Sequence, residues 1–227
     1  MQKIKMRAAN VVEIVTPKKF VLKGLWFGSV RPKNVIVFVH GLGGSAFGLL
    51  FIVSSLVSKN TAVLTFNNRG HDIVSKVYKK GSVHSVRNRL GGSAHEIFTD
   101  CADDIQGAIT FARKQGVKNI YLAGHSTGCQ KSVYWAHRKS GRGIKGIILL
   151  APVSDLSAGR KEQGRGKIAR AMKEAQALVR RGKRHQLLSN PGWIVDAQRF
   201  LSLFGGKGPE EPFTYWDQSQ RPRMLTS

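Results

Sequence analysis

Residues 119–130 read NIYLAGHSTGCQ, an apolar run that ends on a serine flanked by glycines. Asn119 to Gly124 reads as a strand, and STGCQKSVYWAHRKS, starting at Ser126, as a helix. Ser126 therefore falls at a strand-to-helix turn. Gly124-His125-Ser126-Thr127-Gly128 is a G-x-S-x-G, the pattern of a serine held on a sharp, strained turn with its hydroxyl presented for attack. Side chains at Gly124 and Gly128 would collide with neighbouring backbone in so tight a turn, and the start of the following helix favours negative charge near Ser126 Oγ.

A second motif, HGLGG at 40–44, directly follows the apolar run VIVFVH at 35–40. Gly41, Gly43 and Gly44 let the backbone approach a bound acyl group, so the Leu42 N–H is a candidate oxyanion donor and the Thr127 N–H its companion. Removing one such donor typically adds ~2.7–4 kcal/mol to the barrier. A phosphate-binding reading is disfavoured, since the loop has neither G-x-G-x-x-G nor the lysine of a P-loop. His40 and His125, beside the two motifs, are read as holding loop backbone by hydrogen bonds, and His71 in NNRGHD as lining the pocket.

Outward from these motifs, NVVEIV and FVLKGLWFG form an N-terminal pair of antiparallel strands, FGLLFIVSSLVSKN a helix, and TAVLTF (61–66) a buried strand. Asn67 to Gly92 is polar and reads as a long loop. Ile97, Cys101, Ile105, Ala108, Ile109 and Ala112 recur at helical steps, with Ser93 or Thr99 as cap and Gly116 as stop. IKGIILLAP is a further strand. Strands alternating with helices from Val35 onward predict an α/β domain with a mostly parallel sheet, helices on both faces, and a ligand site past the C-terminal strand ends. The expected division is a core over 1–155, a basic helical segment over 156–204 that includes AQRFLSLF, and loop over 205–227.

The chain has 227 residues, 41% hydrophobic and 22% charged, enough for one substantial core. No apolar run approaches the roughly 20 residues of a membrane span, and the start lacks the features of a secretory signal, so a cytoplasmic protein is expected. Cys101 and Cys129 are the only cysteines and no His/Cys cluster has metal-ligand spacing, so buried thiols and no metal site are expected. Lys and Arg number 37 against 13 Asp and Glu, a net charge of +24. The basic stretch Arg160 to Arg184 has no interleaved aromatics, so solvated surface is favoured over a nucleic acid or anionic-surface partner.

VIVFVHGLGG, TFNNRGHD, NIYLAGHSTGCQ and IILLAPVSD resemble, in that order, successive strands and loops of the α/β-hydrolase superfamily, over roughly residues 20–155. LGGSAHEIFTDCADDIQGAI and AQRFLSLF are similar, more narrowly, to a branch of bacterial and archaeal hydrolases related to fungal siderophore-ester hydrolases. The resemblance implies Ser126 as nucleophile, Leu42 and Thr127 as oxyanion donors, a small-molecule acyl substrate, no cofactor, and a helical cap after Asp155.

The superfamily order is serine, acid, histidine, and here the pattern breaks. After Ser126 only His137 and His185 remain. His137 lies eleven residues along the helix, about 16 Å away at 1.5 Å per residue, and His185 follows the basic run, where a solvent-facing role is expected. Among the acids Asp155, Asp196 and Asp217, Asp155 has the best position, after the sixth recognisable strand, though it could equally cap the next helix. QRPRMLTS resembles the loop into the superfamily's seventh strand. Three expectations stay open: a chain shortened at its C-terminal end, a silent ligand-binding relative, or a base supplied unconventionally or by a partner.

Overall fold

A computed structural model describes residues 8–81, 89–189, 192–206 and 208–213. Its centre is an open eight-stranded sheet in which β3 (Asn34–Val39), β4 (Thr61–Phe66), β7 (Asn119–His125) and β8 (Gly146–Leu150) run parallel, in the order β4-β3-β7-β8. The register aligns Val37 with Leu64 on one side and Leu122 on the other.

The α/β sheet is as expected in class but mixed: beside this parallel half, the other half is antiparallel and starts from the N-terminal antiparallel pair. β1 (Asn10–Val15) pairs with β2 (Phe20–Phe27), whose opposite edge carries β5 (Ser75–Lys79) at its start and β4 at its end, and β6 (Arg89–Gly91) extends β5. β5 and β6 lie in the stretch read as loop. Ser75–Lys79 has only one buried residue, Val77, so its sequence shows little of the apolar signal that marks a strand; pairing with Phe20 and Val21 makes it one.

Alternate side chains of the sheet feed two cores. Val35, Val37 and Val39 of β3 pack with Ile105, Ile109 and Ala112 of α2 (Cys101–Lys114) and Trp135 of α3 (Thr127–Lys139), while Ile36 and Phe38 face Val53 of α1 (Leu50–Leu56). Helices thus cover both faces, as expected. Among the described residues β8 is the sheet's edge, and its Ile147 and Ile148 are 36% and 37% exposed, far from the double burial of β3. Neither Ser93 nor Thr99 caps α2, which is entered instead through a 3₁₀ turn, Phe98–Asp100, with no side-chain cap. Gly116 does end it, at φ 80°.

After β8 come α4 (Asp155–Gln163), α5 (Arg165–Arg180) and α6 (Ala197–Phe204), which build their own core from Leu156, Ile168, Ala175, Leu178, Phe200 and Phe204. Arg165, Arg170, Lys173, Arg180, Arg181, Lys183 and Arg184 lie exposed around it. These helices are tied to the core by the Asp196 N–H donating to the Ala94 carbonyl at 2.9 Å and by the ion pair of Arg199 with Glu96. Asp217 and QRPRMLTS lie outside the described residues.

Candidate active site

Ser126 sits between the end of β7 and the start of α3, at φ 53° and ψ −126°. A non-glycine residue held there stores on the order of 1–3 kcal/mol of strain, which the surroundings must enforce. They do so by hydrogen bonds on both sides: the Ser126 N–H donates to Leu150 O at 3.0 Å, and the Cys129 N–H to Ser126 O at 2.8 Å. They also do so by close packing. A Cβ on Gly124 would lie 2.3 Å from Gly128 O, and one on Gly128 2.2 Å from Val39 O, both far inside van der Waals contact.

The same packing brings HGLGG against the serine. A Cβ on Gly41 would lie 3.0 Å from Ser126 Cβ and 3.5 Å from its Oγ. The loop backbone therefore runs alongside the hydroxyl. Thr127 opens α3, so its N–H has no intrahelical acceptor. Neither that N–H nor the Leu42 N–H is hydrogen-bonded among the described residues.

His40 performs the backbone role expected of it. The Asn68 N–H can only donate, so Nε2 accepts it at 3.3 Å and the proton sits on Nδ1, facing Gly41 O at 2.8 Å. Burial, and next the Lys131 ammonium, push the imidazole down to about 3, keeping it neutral. With both nitrogens engaged, His40 positions the loop. His125 departs from its expected role: its half-buried ring makes no hydrogen bond among the described residues, and such exposure leaves its nitrogens to solvent. His71 binds Asp72 at 2.9 Å and lines a cavity of about 460 Å³ with Leu22, Arg69, Val77 and Tyr78, whose lining does not include Ser126.

Asp155 is the first residue of α4, but the cap is Ser154, whose Oγ accepts the Ser157 N–H at 3.1 Å. The Asp155 carboxylate instead accepts from Gln130 Nε2 at 2.7 Å, and burial, then Glu210, raise its pKa to about 6. It has no imidazole partner among the described residues, and none hydrogen-bonds to Ser126 Oγ. Cys101 and Cys129 are free and buried, as expected; Cys129 Sγ donates to Gly124 O at 3.1 Å, and burial raises its thiol to about 11.

Sequence reasoning missed a buried charge network behind the serine. Lys131, fully buried in α3, pairs with Glu96; Glu96 also accepts from Arg199 at 2.9 Å, and Arg199 pairs with Glu210. A second anchor is Arg69 of NNRGHD, 3% exposed, which binds Asp104 at 2.7 Å and Asp103 at 3.0 Å on α2. The one available cue was Lys131 itself, a charged residue five positions past Ser126 inside the helical stretch that follows the turn.

Over residues 25–215 the sequence matches a family described as a protein of unknown function, DUF1749. The chain belongs to the DUF1749 family. Its fold is that of the α/β hydrolases, as solved structures show. The Pyrococcus furiosus esterase Pf2001 is 17% identical, with a TM-score of 0.54 over 88% of this chain and 63% of that one. A thermostable carboxyl esterase from Bacillus coagulans is 16% identical at TM-score 0.55, over 90% of this chain and 61% of its own. The α/β hydrolase GrgF from Penicillium is 14% identical at TM-score 0.59, over 86% and 72% respectively. This DUF1749 chain thus spans less than two thirds of the length of the two esterases. No curated protein matches its sequence significantly. Among the described residues, no helix of this DUF1749 protein is long and apolar enough to cross a membrane.

Proposed function

We propose that this DUF1749 protein is a serine hydrolase of small acyl esters, with Ser126 as nucleophile. The observation that carries the reading is the contact of the Gly41 backbone with the side chain of a strained Ser126. Ser126 Oγ attacks the ester carbonyl and gives up its proton; the bond to the alcohol breaks, and the alcohol leaves carrying that proton. The Leu42 and Thr127 N–H groups stabilise the oxyanion, and water then releases the acid from the acyl-enzyme. Gly43, Gly124 and Gly128 shape the two loops, and His40 holds the first of them. Asp155, half-buried beyond the end of β8, is the acid most suitably placed to orient a base.

A second reading, a silent relative that binds a small ligand, is favoured by the lack of any imidazole on Ser126 Oγ among the described residues. A serine with no base retains only the ~10³–10⁴-fold acceleration over water given by the oxyanion hole and binding. Hydrolysis of short-chain p-nitrophenyl esters separates the two. We expect Ser126→Ala to lower kcat/KM by roughly 10³-fold or more, as loss of an activated nucleophile does. Equal slow rates in the two folded proteins would support the silent reading.

A further inference from the structure

Away from the serine, three side chains distant in sequence meet where the helical segment joins the core. His95 lies in the loop after β6, His185 in the connection after α5, and Asp196 at the N-cap of α6. His95 Nδ1 is 2.9 Å and His185 Nδ1 3.1 Å from the same oxygen, Asp196 Oδ2. One ligand-capable atom from each residue lies within 4.8 Å of the others. We propose that His95, His185 and Asp196 form a binding site for a divalent transition-metal ion of the zinc class, which clasps the helical segment to the core.

The chemistry favours such an ion. Two imidazoles and one carboxylate suit zinc and its neighbours, whereas calcium and magnesium demand mostly oxygen. Tetrahedral coordination at ~2.0–2.1 Å places ligand atoms about 3.3 Å apart, a few tenths of an ångström beyond the distances to Asp196 Oδ2. Binding needs the lone pair of each Nδ1 to face the ion, with the ring proton on Nε2.

The frame around the site is already built. Asp196 is 1% exposed and its other oxygen, Oδ1, accepts the Arg199 N–H at 2.7 Å, which leaves Oδ2 for the ion and fixes the carboxylate's direction. The Asp196 N–H holds the Ala94 carbonyl next to His95, and the neighbouring Glu96 binds Arg199. His95 is 10% exposed, while His185, at 61%, stands on the open side, where a water can complete the coordination. Ser93, two residues before His95, is near the oxyanion loop: a Cβ on Gly43 would lie 3.3 Å from its Oγ. An ion here would steady the segment that backs HGLGG without touching Ser126.

The test uses the untagged full chain, freed of metal by chelation and then titrated with Zn²⁺. Equilibrium dialysis with elemental analysis should give close to one zinc per chain, and zinc should raise the thermal unfolding midpoint by several degrees, since only the native state assembles the site. His185→Ala removes a mostly exposed side chain and should leave the fold intact, yet weaken zinc binding by at least about 100-fold, the upper end of what even a second-sphere change costs. His137→Ala, outside the cluster, should bind as wild type does. Failure of the wild-type chain to bind near one equivalent, or binding by His185→Ala equal to wild type, would overturn the proposal and leave two imidazoles simply hydrogen-bonded to a helix cap.

Discussion

Gly128→Ala should cost about 3 kcal/mol of folding stability or more, a loss read as a large drop in the denaturation midpoint in urea. Overpacking a core by a methyl group usually costs ~1–3 kcal/mol, because neighbouring side chains can shift. Here the obstacle is main chain. The new methyl would lie 2.2 Å from Val39 O and 2.9 Å from His40 O, at the end of the central strand β3. Relief requires α3 and β3 to part, which also separates Ser126 from HGLGG. Gly166 provides the internal contrast: it lies in the first turn of α5 with nothing within 4 Å of its added Cβ, so Gly166→Ala should be tolerated, with a gain below the roughly 0.5–1 kcal/mol of a mid-helix site. A Gly128→Ala protein within 1 kcal/mol of wild type would mean that the turn is far looser than its contacts indicate.

Glu96→Ala is expected to lose ~3–5 kcal/mol, the usual result of leaving a buried charge without its partner. Glu96 stands between the ammonium of Lys131 and the guanidinium of Arg199, both fully buried. Burial alone would raise the Glu96 carboxyl, but Lys131 and Arg199 outweigh it, and the group is held below its ordinary value of 4.5. An acid depressed on folding contributes stability that is fully present above its unfolded pKa and lost as pH falls through its folded one. The gap between wild type and Glu96→Ala should therefore be full at pH 6 and narrow only below about pH 4.5. Equilibrium unfolding across that range checks both size and sign. A second substitution, Lys131→Met, should recover part of the loss by removing one stranded cation. Equal stability of wild type and Glu96→Ala at pH 6 would show that the network carries no weight.

The turn was legible in sequence because its requirements are local. Gly124, Ser126 and Gly128 are within five residues, and the strand before them and the helix after them each announce themselves by their apolar spacing. The same holds for β3, whose residues Val35 to Val39 are all buried. What escaped depends on partners far along the chain. β5 is a strand because β2 and β6 flank it, and those partners lie about 55 residues before it and a dozen after it, so its own polar sequence carries little sign of the pairing. The β8 run, although apolar, is half-exposed at the sheet's margin, and hydropathy cannot report which strand ends up outermost. Arg199 meets Glu96 across 103 residues and His95 meets Asp196 across 101, separations at which no spacing rule operates.

On this reading the hydroxyl of Ser126 is presented, strained and beside amide donors, for attack on an electrophile. Incubation of the folded chain with a fluorophosphonate probe, followed by peptide mapping, tests this most directly. One probe per chain on the peptide containing Ser126, lost in Ser126→Ala, is the outcome we predict. A folded chain that stays unlabelled, or that is labelled at another serine, would contradict it.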